Sequence, residues 1–91
     1  MESTQCSLIS ITITSPSLKK GKPDVRTFKA HLDIANDIRT YVLTETKRDV
    51  DRKRFDLLPG SIITDMSGSY TCREVRFLPI IRKIMPVITA S

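Results

Sequence analysis

The clearest pattern lies near the N-terminus. From Cys6 to Thr14 the positions alternate, with Ile9, Ile11 and Ile13 on one side and Leu8, Ser10, Thr12 and Thr14 on the other. A period of two with β-branched residues predicts a strand with one buried face. Ser15-Pro16 should end it, because proline has no N–H to give to a ladder. Residues 15–23 hold two prolines, one glycine and three lysines, a composition that predicts a flexible basic loop.

Residues 24–46 fit two templates. On a helix, Val25, Phe28, Leu32, Ala35, Ile38 and Val42 fall on one stripe at spacings of three and four, with Asp24 after Pro23 as a cap. As strands, Phe28, Ala30, Leu32 and Ile34 alternate with Thr27, Lys29, His31 and Asp33, and a turn at Ala35-Asn36-Asp37 leads into a β-rich run. The helix accounts for more apolar positions, so a helix over 24–37 is expected, with 38–46 continuing it or crossing into a strand. Residues 47–56 are the most charged stretch and are expected to be exposed. Short strands are expected at 61–66 and 70–77, separated by the turn Ser67-Gly68-Ser69. The tail, 78–91, is the most apolar part. Ile80, Ile81, Ile84 and Met85 sit at helical spacing opposite Arg82 and Lys83, so a two-turn helix needing a surface to lie on is expected there.

These elements give an α+β, β-rich fold. It has an N-terminal strand, one helix, a C-terminal β pair and an apolar tail, and is completed by a second subunit. With 91 residues the chain makes one domain, 1–91, which excludes a multidomain enzyme with its own cofactor domain. A chain of this size buries only about 60% of its unfolded surface. It has no Trp and only three Phe, and a partner subunit or a disulfide would supply the missing stability.

Fifteen Lys and Arg against ten Asp and Glu give a formal charge of +5. Such a balance favours phosphate-rich partners, nucleic acid or an anionic membrane surface. Two segments concentrate the charge. Lys19, Lys20 and Lys22 lie on the basic loop. Arg48, Arg52, Lys53 and Arg54 lie on 47–56, where the neighbouring Phe55 would stack on a base. Ile80, Ile81, Ile84 and Met85 are the candidates for self-association or lipid contact, with Arg82 and Lys83 at the headgroups.

Catalytic and metal chemistry find little support. Cys6, Cys72 and the single His31 are too few for a closed zinc site, and nothing in the spacing brings His31 to either thiol. Gly21, Gly60 and Gly68 lie far apart and make no phosphate loop. No cofactor, metal or small-molecule substrate is implied. No signal peptide is visible and no apolar stretch approaches the roughly 20 residues of a membrane span, so an intracellular location, cytoplasmic or nuclear, is expected. Three Ala against eleven Ile suggest an AT-rich coding source, which would suit a viral accessory protein.

Gly68-Ser69-Tyr70-Thr71-Cys72 resembles the G-x-Y-x-C end of the immunoglobulin fold, where a Tyr two residues before the second Cys makes a corner. The resemblance covers these five residues and one distant Cys. It implies, as the alternative reading, a secreted immunoglobulin-like module closed by a Cys6–Cys72 disulfide. The chain differs from that family in its displaced Asp65, its lack of Trp and the lack of a strand before Cys6. The principal expectation is a non-catalytic, basic binding or assembly protein that self-associates and contacts RNA or an acidic membrane.

Overall fold

The structure, a computed structural model, describes residues 7–91. It is a closed six-stranded antiparallel barrel of strand order β1-β2-β3-β6-β5-β4. The strands are β1 (Ser7–Lys19), β2 (Lys22–Ala35), β3 (Ile38–Leu43), β4 (Ile62–Asp65), β5 (Gly68–Ile80) and β6 (Lys83–Ala90), with one short helix, α1 (Lys47–Arg52), between the two three-stranded halves. The α+β expectation is therefore wrong, and so is the helix over 24–37. That segment is β2, paired with β1 from Ser7↔Leu32 to Lys19↔Lys22. Phe28 and Ala30 point inward and are buried, whereas Val25 and Ile38, which the helical stripe required to be buried, are half exposed. The turn at Asn36-Asp37, both at positive φ, completes the alternation that the helix template left aside.

The expected loop over 15–23 is also strand. β1 runs through Ser15-Pro16 with a register shift between Ser15 and Leu18, and β4 pairs with β1 only at Thr12–Thr14. Pro16 thus occupies an irregular part of an outer edge, where proline is tolerated. The expected helix in the tail is a hairpin: β5 and β6 pair from Cys72↔Ala90 to Ile80↔Lys83. Pairing with distant β3, from Arg39↔Ala90 to Val42↔Val87, decides against the local helical spacing. The expected strands at 6–14, 61–66 and 70–77 are found, each with different bounds; Cys6 lies outside the described residues. The immunoglobulin alternative required two packed sheets, and the strands instead close into one. Cys72 is a free, buried thiol, and the Tyr70 hydroxyl shares a 2.7 Å hydrogen bond with the Ser67 hydroxyl.

Inside the barrel Ile11, Ile13, Phe28, Leu43, Ile63 and Ile88 pack with Tyr41 and Cys72. The two ends are closed differently. At one end Val50 of α1, Phe55 and Leu57 join the core, and the Phe28 and Phe55 rings lie 5.5 Å apart at 53°. The segment 47–56 is thus not wholly exposed, and Phe55 is 4% exposed. At the other end a polar group closes the interior. Arg39 donates to Asp65 at 2.7 Å, Tyr41 donates to the same carboxylate at 2.8 Å, and the guanidinium lies over the Tyr70 ring at 4.0 Å.

Antiparallel pairing fixes which loops meet. The β1–β2 turn, α1 with the segment after it, and the β5–β6 turn all lie at the end that α1 closes. The Asn36-Asp37 and Met66-Ser67 turns lie at the opposite end, together with Ser7 and Ser91.

Candidate functional site: the basic end of the barrel

Three stretches separated in sequence make the α1 end: residues 19–24, 45–56 and 80–84. They carry ten of the fifteen Lys and Arg but five of the ten Asp and Glu, so the whole formal charge of +5 sits at this end. The expectation that the two lysine- and arginine-rich segments form anion contacts acquires a common location here.

α1 is short, and its ends are held by side-chain and backbone hydrogen bonds. Thr46 caps it: its hydroxyl accepts from the Asp49 N–H at 3.1 Å, and Asp49 accepts from the Thr46 N–H at 3.2 Å. This reciprocal pair satisfies two N–H groups that a helix start leaves open. Arg54, at φ 56°, reverses the chain. The Arg54 N–H then reaches the Asp51 carbonyl at 2.9 Å and the Phe55 N–H the Val50 carbonyl at 3.4 Å. That is the Schellman pattern, sealed by the contact of apolar residues on either side of the turn. Val50 and Phe55 face the core, so Arg48 and Arg52 face out.

Between α1 and the β5–β6 hairpin lies an open groove of about 590 Å³, lined on one side by Lys47, Arg48, Asp51 and Arg52, on the other by Arg82 and Lys83, with Ile84 and Asp49 completing it. Phe77, 41% exposed, flanks it, with the Lys47 ammonium 5.3 Å from its ring centroid. The acids in the groove are already engaged. Asp51 pairs with Lys47 at 2.8 Å. The hydrogen bonds to Thr46, helped by the charges of Arg52 and Lys83, hold the Asp49 carboxyl below its usual range. Arg48, Arg52, Arg82 and Lys83 make no ion pair among the described residues, and neither do Lys20, Lys22 and Arg54.

The candidate residues therefore separate. Arg48, Arg52 and Ile84 line the groove. Lys53 turns away to Glu45 at 2.8 Å and lies over the Phe28 ring. Lys19 donates to the Arg54 carbonyl and sits 3.9 Å from Asp24, so it ties the β1–β2 hairpin to the segment after α1. Lys20 and Lys22 flank the tip of that hairpin. Ile81 lies in the tip of the other, Ile80 ends the strand before it, and Met85 is half-buried. Phe55, expected to stack on a base, is a core residue.

Sequence reasoning placed Arg82 and Lys83 beside the tail but did not join them to Arg48 and Arg52. A turn at Ile81-Arg82 was the missing signal, and its residue types conceal it. His31 and Cys72 stay apart. His31 is exposed on the outer face of β2, and Cys72 points into the core, where burial pushes its thiol up. No helix among the described residues is long and apolar enough to cross a membrane. No protein-family model, curated protein or solved structure matches the chain.

Proposed function

We propose that this chain is a non-catalytic binding protein that docks a phosphate-rich partner, RNA or an acidic membrane surface, on the basic end of its barrel. The observation that carries the reading is the concentration of the whole formal charge at that end, with Arg48, Arg52, Arg82 and Lys83, which make no ion pair among the described residues, around one groove. Cations left free of internal acids are available to displace counterions from a phosphate array. An exposed aromatic ring beside them adds a surface for stacking.

The test is the affinity of a fluorescent single-stranded RNA across a salt series. Neutralising four contacts lowers the slope of log affinity against log salt by roughly three for a single strand. The variant Arg48→Gln, Arg52→Gln, Arg82→Gln, Lys83→Gln is expected to show that loss. An unchanged slope removes the groove from the reading, and no binding at low salt removes the reading itself.

Self-association is a second reading. Ile34 and Ile38, both about half exposed, lie beside Asp33 and Asp37 at the end opposite the basic one, so copies stacked end to end would bring opposite charges together. A mass that rises with concentration in sedimentation equilibrium, and falls at high salt, would support it.

A further inference from the structure

Three hairpins in this barrel close through two-residue turns with both residues at positive φ: Lys20 (55°) with Gly21 (78°), Asn36 (52°) with Asp37 (65°), and Ile81 (47°) with Arg82 (65°). This is the arrangement whose twist matches the flanking strands, and it favours Asn, Asp and Gly. The first two turns contain such residues. The third contains none. Ile81 is β-branched in the left-handed region, where such side chains are outliers, and it is 89% exposed. It serves neither the turn nor the core. A residue that breaks the local rule without a structural return marks a position kept for another purpose.

Its surroundings suggest that purpose. Ile80 and Ile84 beside it are 40% and 43% exposed, and Leu18, next to the tip of the β1–β2 hairpin at the same end, is 65% exposed. These aliphatics lie among cations that make no ion pair among the described residues: Lys20 and Lys22 around one tip, Arg82 and Lys83 at the other. At the far end Ile34 and Ile38 sit beside Asp33 and Asp37 instead, and Met66, 102% exposed in the β4–β5 turn, follows Asp65. Among the described residues, the hairpin tips that join exposed aliphatics to several cations without ion pairs are those of the basic end.

We propose that the basic end seats on an anionic lipid bilayer, with Ile81 and Leu18 entering the boundary between headgroups and acyl chains while the cations meet the lipid phosphates. This rests on the docking of a phosphate-rich partner proposed above and names that partner. A bilayer offers a plane of phosphate with hydrocarbon directly behind it, so it satisfies both sets of side chains at one depth. Each cation near such a surface strengthens binding about fivefold. A single-stranded RNA would use the cations and leave both aliphatic tips in water.

The experiment measures binding to vesicles of phosphatidylserine and phosphatidylcholine, with vesicles of phosphatidylcholine alone and single-stranded RNA as comparisons. Ile81→Asn suits the turn better than the natural residue, so this variant is expected to melt at a higher temperature. A loss of binding in it is then not a loss of fold. Combined with Leu18→Asn it is expected to weaken binding to the anionic vesicles about tenfold or more, with RNA affinity unchanged. In Ile81→Trp the new side chain is the chain's sole Trp, and its emission is expected to shift to the blue on anionic vesicles and be quenched by brominated acyl chains.

Vesicle binding without blue shift, and without an effect of the Asn variants, overturns insertion and leaves the docking of a phosphate-rich partner standing. RNA binding without vesicle binding overturns the lipid assignment alone. Binding to neither overturns both.

Discussion

The Tyr41 hydroxyl donates a 2.8 Å hydrogen bond to Oδ2 of Asp65, and that same oxygen accepts from Arg39 at 2.7 Å. Three polar side chains thus close one barrel end, and each shifts the others. Burial by itself would raise the Asp65 carboxyl, but hydrogen bonds from Ser67, Tyr41 and Arg39 outweigh it and hold the group far below the usual carboxylate range. Burial, with further help from Asp65, pushes the Tyr41 phenol up to about 12.

The sign of the pH dependence follows from these directions. The depressed carboxyl stabilises the fold above its unfolded value near 4, and that contribution is lost as pH falls below it. The raised phenol stabilises the fold below about 10, and that contribution is lost as pH rises through about 12. Melting temperature is expected to fall in both windows, and Tyr41→Phe should remove much of the alkaline loss. Asp65→Asn leaves a nearly buried guanidinium without its partner and is expected to cost about 3 kcal/mol in denaturant unfolding. A change within 0.5 kcal/mol would contradict the assigned role.

Phe55 separates a core role from a binding role. It is buried against Phe28 at 5.5 Å, so Phe55→Ala is expected to cost about 3–5 kcal/mol of stability. Phe55→Leu, which retains most of the volume, should leave RNA or vesicle affinity unchanged. A selective loss of affinity in the Leu variant would return this ring to the interface.

Thr46 holds the start of a six-residue helix. Thr46→Ala is expected to cost about 1 kcal/mol. Binding of the phosphate partner should also weaken, because Arg48 and Arg52 are presented by that helix. Thr46→Ser, which keeps the hydroxyl, should restore both.

Cys72 is 2% exposed and its thiol is pushed up by burial, a combination that makes a poor nucleophile. In a Cys6→Ser background, native protein at pH 7 is expected to react with iodoacetamide many times more slowly than protein in denaturant. Equal rates would mean that the β5 strand opens freely.

The alternation at Ile9, Ile11 and Ile13 was legible because local pattern and final pairing agree there. Residues 24–37 were not, because Val25, Phe28 and Leu32 are spaced equally well for a helix, and only pairing with β1 on one side and β3 on the other selects the strand. The tail was misread for a related reason. Ile81-Arg82 lacks every residue type that announces a tight turn, and β6, the second strand it joins, is held by Arg39–Val42, far back in the chain. The basic residues were legible as segments. Their convergence was not, since it depends on hairpin directions that only the closed barrel fixes.

The barrel's closure is uneven along its wall. The two three-stranded halves meet through β3–β6, from Arg39↔Ala90 to Val42↔Val87, and through β1–β4, which pairs only Thr12↔Thr64, Ile13↔Ile63 and Thr14↔Ile62. Each hairpin within a half can fold on local contacts, while these seams join residues far apart in the chain. Short seams open at lower free energy than the ladders around them. Amide hydrogens bonded across β1–β4 are therefore expected to exchange faster than those inside the β5–β6 ladder, so that the wall breathes along one line like a door on its hinge.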